Sequence, residues 1–212
     1  MLKASGRLAT VLAVSGILMA NAKLPETIEV EGGLVSGTPS WGAGVTMFRG
    51  IPFAAPPVGE NRWRPPQPVK AWNGILQADG FGPACMQTRR PLNERSWNSG
   101  IAGYSEDCLY LNIWTPAKSA DEKLPVMVWI YGGGGVEGSG AEAIYDGNGL
   151  AKRGVVYVTL NYRVNVFGWM AHPSLTEESP HRPSGNYGAL DQLAAIRWVR
   201  NNIAGFGGDP DR

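Results

Sequence analysis

Four consecutive glycines, Gly132, Gly133, Gly134 and Gly135, follow the apolar run VMVWIY at residues 126–131. Without side chains their backbone N–H groups stay uncovered, and glycine reaches the φ values that turn successive N–H groups toward one point. Two chemistries use such a nest. One is phosphate binding: Gly133, Gly135 and Gly138 satisfy the G-x-G-x-x-G spacing of a dinucleotide site. The other is an oxyanion hole, where N–H groups after a central strand meet negative charge developing on an acyl carbonyl. A plain flexible turn is the third reading. The dinucleotide reading fits poorly. It needs a helix opening at the third glycine, yet Gly140, Gly147 and Gly149 follow. It also needs an acid ending the next strand, which closes on Leu160-Asn161-Tyr162-Arg163.

Other reactive groups are sparse. No serine sits in a Gly-x-Ser-x-Gly frame; Gly103-Tyr104-Ser105-Glu106-Asp107 comes nearest and lacks the last glycine. Two cysteines and two histidines are scattered, so no metal-ligand cluster is expected. His172 and His181 read as loop histidines.

The elements that must position the glycine run can be read from periodicity. Residues 109–114 (LYLNIW) read as a strand. Residues 126–131 and 155–160 (VVYVTL) are short continuous apolar runs, as expected of strands buried on both faces. Between these last two lie the glycine turn and a weak helical stretch near Leu150-Ala151. Strand, crossover and strand suggest a right-handed parallel unit. Residues 189–203 form the clearest helix, with apolar residues at three and four spacing, ended by Gly205, Gly207 and Gly208. Upstream, residues 45–48 read as a strand followed by Pro-rich extended chain. Residues 85–107 show no period and read as a loop.

The composition, 43% hydrophobic and 17% charged, supports one sizeable core. Residues 1–22 read as a secretory signal: Lys3 and Arg7, an apolar stretch at 8–20, then Ala20-Asn21-Ala22 as a cleavage site. The apolar stretch is shorter than the roughly 20 residues that span a bilayer, so no membrane span is expected once the signal is removed. Losing Lys3 and Arg7 takes the formal net charge from +1 to −1, and no basic stripe argues for nucleic acid. Export makes a disulfide between Cys85 and Cys108 the expected state, against two buried free thiols.

Residues Ser105-Glu106-Asp107-Cys108-Leu109-Tyr110-Leu111-Asn112-Ile113-Trp114 resemble the signature of the type-B carboxylesterases, which include bacterial esterases and cholinesterases. Further blocks agree in order and spacing: FRGIPFAAPPVG at 48–59, the Tyr-Gly-Gly-Gly run, Asn161-Tyr162-Arg163, Gly185-Asn186 with Leu190-Asp191-Gln192, and FGGDP at 206–210. The resemblance covers nearly all of residues 28–212. It implies an α/β class chain: the N-terminal part of an α/β-hydrolase fold, with a mixed, mostly parallel central sheet and flanking helices. Residues 23–212 would be one portion of that domain, ending before its nucleophile elbow.

The resemblance also implies roles. Gly133 and Gly134 would donate to the oxyanion. Gly135 stands where the family carries a large side chain, so the wall there would widen and substrate selection change. Trp97 resembles a gorge-lining aromatic. Cys85 and Cys108 match the family's N-terminal disulfide, and Arg62 and Glu106 match a buried structural ion pair. The family's serine, acid and histidine follow in that order after Gly-Gly-Asp-Pro, so His172 and His181 precede them and neither would be the base. The implied reaction is hydrolysis of a small-molecule carboxylic ester through an acyl-enzyme, with no cofactor. Two other classes fit the same resemblance: a binding or adhesion relative with a broken triad, and an incomplete chain without activity. The hydrolase reading requires the glycine amides to face a shared cavity with room for a ligand.

Overall fold

Three β-strands open the described part of the chain: β1 (Ile28–Val30), β2 (Gly33–Ser36) and β3 (Thr38–Pro39). The computed structural model describes residues 24–42, 44–88, 100–179 and 184–212, so the signal expected at residues 1–22, Trp97 and His181 lie outside the described residues. The strands continue with β4 (Thr46–Pro52), β5 (Ile75–Gln77), β6 (Ala84–Cys85), β7 (Tyr104–Ser105), β8 (Tyr110–Thr115), β9 (Val126–Trp129) and β10 (Val156–Leu160). The helices are α1 (Asn148–Ala151), α2 (Asn165–Trp169), α3 (Pro173–Glu178) and α4 (Tyr187–Asn202).

The central sheet has five strands in the order β3-β4-β8-β10-β9. Strand–crossover–strand holds as read from the sequence, since β9 and β10 pair in parallel, Val126 against Val156 and Trp129 against Thr159. The remaining pairings, β3–β4, β4–β8 and β8–β10, are antiparallel. The mixed sheet expected is present, and within this part of it the antiparallel pairs are in the majority. Between β3 and β4 the reason is connection length: only residues 40–45 lie between them, too few for the crossover of a dozen or more residues that a parallel pair needs.

Side chains alternate across the sheet. Phe48, Ile51, Leu111, Ile113, Val156, Val158 and Leu160 face one layer, with Ala195, Trp198 and Val199 of α4 and with Phe206. Phe48 and Phe206 meet edge to face at 4.8 Å. Met47, Trp114 and Tyr157 face the other layer, under α1. Because both faces of β8 and β10 are covered, these strands read as continuous apolar runs. Strand β9 differs. Its residues alternate between half-buried and exposed, with Met127 44% and Trp129 40% exposed, so the expectation of burial on both faces fails there. Among the described residues it ends the strand order, and its outer edge meets the chain near residues 207–212, through Val126 N–H to Arg212 O at 2.9 Å and Asp209 N–H to Leu124 O at 2.8 Å.

The reading of 85–107 as unpaired loop also needs correction. Short strands β6 and β7 pair in parallel, Ala84 with Tyr104 and Cys85 with Ser105. Runs of two residues are too short to show a period. Helix α4 begins two residues earlier than the periodicity suggests and continues as a 3₁₀ turn (Ile203–Phe206), closed by Gly207 at φ 79°. No described helix is long and apolar enough to cross a membrane.

Candidate active site

The glycine run leaves the C-terminal end of β9, beside the C-terminal end of its parallel neighbour β10. That end of a parallel pair is where α/β sheets hold ligands. Gly132, Gly133 and Gly134 are exposed, and the N–H groups of Gly133 and Gly134 donate to no acceptor among the described residues. Gly133 lies at φ 115°, and a Cβ there would collide with the Glu137 carbonyl oxygen. The turn is closed by Val136 N–H to Gly133 O at 3.0 Å. Only glycine can hold this bend.

The loop is exposed at its apex and tied at both ends. Before it, Tyr131 and Tyr162 stack with centroids 4.4 Å apart. The Tyr131 hydroxyl donates to Tyr162 O at 3.0 Å, and the Tyr162 hydroxyl donates to Tyr131 O at 2.7 Å. Burial pushes the Tyr131 phenol well above its ordinary pKa, because a buried phenolate would lose its hydration. The Tyr162 phenol is raised for the same reason, so both act as neutral donors. After the loop, Asn161 Oδ1 accepts from Ser139 Oγ at 3.1 Å and from Gly140 N–H at 2.9 Å, while its Nδ2 donates to Pro83 O at 2.9 Å. Glu142, also buried, accepts from Ser139 N–H at 3.0 Å.

A buried chain of polar groups reaches this network from across the sheet. Gly50 N–H donates to Asn112 Oδ1, Asn112 Nδ2 to Thr159 Oγ1, and Thr159 Oγ1 to Gly140 O, at 2.9, 2.9 and 2.8 Å. Sequence reasoning missed it, although a lone Asn inside the apolar run LYLNIW was the available signal. A buried amide must be paired, and here every partner is a strand or loop that fixes the glycine turn.

Gly135 has φ 73°, and a Cβ there would lie 2.8 Å from Trp169 Nε1. The space beside Gly135, where a wider wall was expected, is taken by the indole of Trp169, projecting from α2. Only the structure reveals this substitution of one residue's bulk by another's, since the two positions are far apart in sequence.

The expected disulfide is present: Cys85 and Cys108 are bonded, with Cα atoms 5.0 Å apart. Arg62 and Glu106 pair twice, Nε to Oε2 at 2.5 Å and Nη2 to Oε1 at 2.6 Å. The expectation that this pair is buried is wrong. The side chains are 39% and 24% exposed, because Arg62 reaches over the rim beside the disulfide. The buried pair is another one. Arg163 and Asp191 are 3% and 0% exposed. Arg163 donates from Nε to Oδ2 at 2.8 Å and from Nη2 to Oδ1 at 2.7 Å, and its backbone N–H also donates to Oδ2 at 3.0 Å. The pair locks the end of β10 to α4, directly behind the glycine loop.

Ser105, in the nearest approach to a nucleophile frame, accepts from Asp107 N–H in a local turn. His172 caps α3, its Nδ1 accepting from Ser174 N–H at 3.2 Å, which is the loop role expected of it. Among the described residues no group of His, Cys, Asp and Glu could hold a metal ion.

The central sheet, its covering helices and the glycine turn after β9 define the α/β-hydrolase class, and solved structures similar to the chain have that fold. A thermophilic PNB esterase superposes with a TM-score of 0.78 at 44% identity, covering 88% of this chain and 37% of that one. The Geobacillus stearothermophilus carboxylesterase EST55 at pH 6.2 superposes with a TM-score of 0.75 at 43% identity, covering 88% and 36%. The chain belongs to the carboxylesterase family, whose profile matches residues 25–212. Similar proteins include a fumonisin B1 esterase of Sphingopyxis macrogoltabida, 57% identical over 168 residues, 79% of this chain and 30% of that protein. The para-nitrobenzyl esterase of Bacillus subtilis is 43% identical over 187 residues, 88% and 36% of the two chains. The acetylcholinesterase of Bungarus fasciatus is 46% identical over 172 residues, 78% and 27%. The chain thus spans about a third of the length of the relatives it matches.

Proposed function

We propose that the full-length protein hydrolyses carboxylic esters through a serine acyl-enzyme, and that residues 23–212 supply the oxyanion donors and one rim of its site. The observation that carries this is the pair of uncommitted N–H groups on Gly133 and Gly134, exposed at the end of β9 and backed by a fixed polar network. Donors held in place before the reaction need no reorganisation as the tetrahedral oxyanion forms, and losing one typically costs about 10²–10³ in rate. A serine placed by the rest of the chain would attack the acyl carbon. Its proton would pass to a histidine and from there to the departing alcohol, leaving an acyl-enzyme that water would hydrolyse to the acid and free serine. The reaction needs no cofactor. The names of the similar proteins support a small-molecule ester as substrate, and Trp169 over Gly135 supports a wall that selects among its groups. Export is supported by the residues at 1–22 and by a disulfide, which persists in oxidising compartments.

The test is steady-state hydrolysis of a nitrophenyl ester, a nitrobenzyl ester and fumonisin B1 by the full-length protein. Residues 1–212 alone should turn over none of them. Turnover by that segment would require another nucleophile. Absence of turnover by the full-length protein on every ester tried would favour a binding role instead.

A further inference from the structure

The apex of the glycine loop is exposed, so its rigidity must come from its ends. At the end after the loop, Gln87 adds to the hold of Asn161 and Glu142, a contact the sequence does not flag. Gln87 Oε1 accepts from Gly138 N–H at 2.8 Å, and its Nε2 donates to Gly138 O at 2.8 Å. The same Nε2 donates to Cys85 O at 3.0 Å. One amide thus satisfies both backbone groups of Gly138, as a neighbouring strand would. Its own backbone is anchored two residues away by the Cys85–Cys108 disulfide. The adjacent Met86 O accepts from Asn165 Nδ2 at 2.8 Å, and Asn165 N–H in turn donates to Gly135 O at 2.6 Å. Residues 85–87 therefore grip the loop at two points, Gly138 directly and Gly135 through Asn165.

We propose that Gln87 is a positioning residue for the oxyanion hole, transmitting the rigidity of the disulfide to the amides of Gly133 and Gly134. The proposal rests on the ester-hydrolase reading. Four glycines lose more conformational freedom on ordering than any other residues. An unclamped loop would sample many N–H directions, and the entropy of fixing them would then fall on the transition state rather than on folding. The substrate, gripped elsewhere, would bind almost as before.

The experiment uses the full-length protein and its Gln87→Ala and Gln87→Glu variants. Gln87→Glu keeps the acceptor for Gly138 N–H and loses the donor to Gly138 O, so it holds half the clamp if Gln87→Ala does not fold. Three quantities are read: kcat and KM on a nitrophenyl ester, inhibition by a trifluoromethyl ketone that forms a tetrahedral adduct, and deuterium uptake of peptides covering residues 131–138. The expected result is a fall in kcat of about 10- to 100-fold for Gln87→Ala, a misplacement effect, with KM little changed. Trifluoromethyl ketone affinity should fall in step with kcat/KM, and uptake in the loop should rise. Gln87→Glu should fall between. Folded variants with unchanged kcat, or a loss confined to KM, would overturn the role of Gln87 while leaving the hydrolase reading standing. A wild-type protein without turnover would overturn both.

Discussion

Two regions flank the glycine loop, and they are held together by different physics. Behind the loop lies an inner wall of buried polar groups: Arg163–Asp191, Asn161, Thr159 and the stacked Tyr131–Tyr162 pair. Beside it lies an outer rim, where Arg62–Glu106 is half-exposed and the covalent bond Cys85–Cys108 does the holding. Both regions contain an arginine gripping a carboxylate with two nitrogens. In the inner wall a missing partner would leave a charge in a dry interior. In the rim water would simply replace it. The same chemical pair is thus structural in one place and nearly neutral in the other.

Substitutions separate the two cases. Asp191→Asn should have the largest effect, since Arg163 would keep its charge with its partner gone; breaking a buried pair costs about 3–5 kcal/mol. Urea denaturation reads it, and a cost no larger than that of a surface substitution would break the contrast. Next comes the double replacement Cys85→Ser with Cys108→Ser. The sequence separation of 23 puts the lost chain constraint at about 3 kcal/mol on the entropy model. If the rim depends on the disulfide, this variant should also show raised proteolysis near residues 85–108.

Alkaline titration probes the inner wall without mutation. Burial raises the phenols of Tyr131 and Tyr162, and pushes those of Tyr110 and Tyr157 up to about 12. Unfolded tyrosine releases its proton near pH 10 while these hold theirs, so stability should be unaffected below pH 10 and fall as pH rises toward 12. Thermal melts across that range test it; a flat curve would place these phenols in water. Glu106→Gln should have the smallest effect. Arg62 is open to solvent, so the melting temperature should barely change, and any change should vanish at high salt.

Much of the framework was readable because it is local. Residues 109–114 and 155–160 announced strands because both sheet faces are covered, and residues 126–131 announced one although its outer face is open. Helix α4 showed in its three-and-four spacing. The errors have physical causes. The burial assigned to Arg62–Glu106 belonged to Arg163–Asp191, because charge type says nothing about depth. Strands β6 and β7 escaped notice because pairs of residues carry no period.

The sequence alone determined the chemistry on offer: glycines that free backbone amides after an apolar strand, two cysteines able to pair, and no serine in the elbow frame. Those are properties of residue type and short spacing. Tertiary structure decided which groups act together. It brought Gln87 to Gly138 across 51 positions, stood Trp169 in the space beside Gly135, and sank Arg163 beneath α4. Such contacts join distant segments through the packing of a shared core, and that packing is a property of the whole chain rather than of any stretch within it.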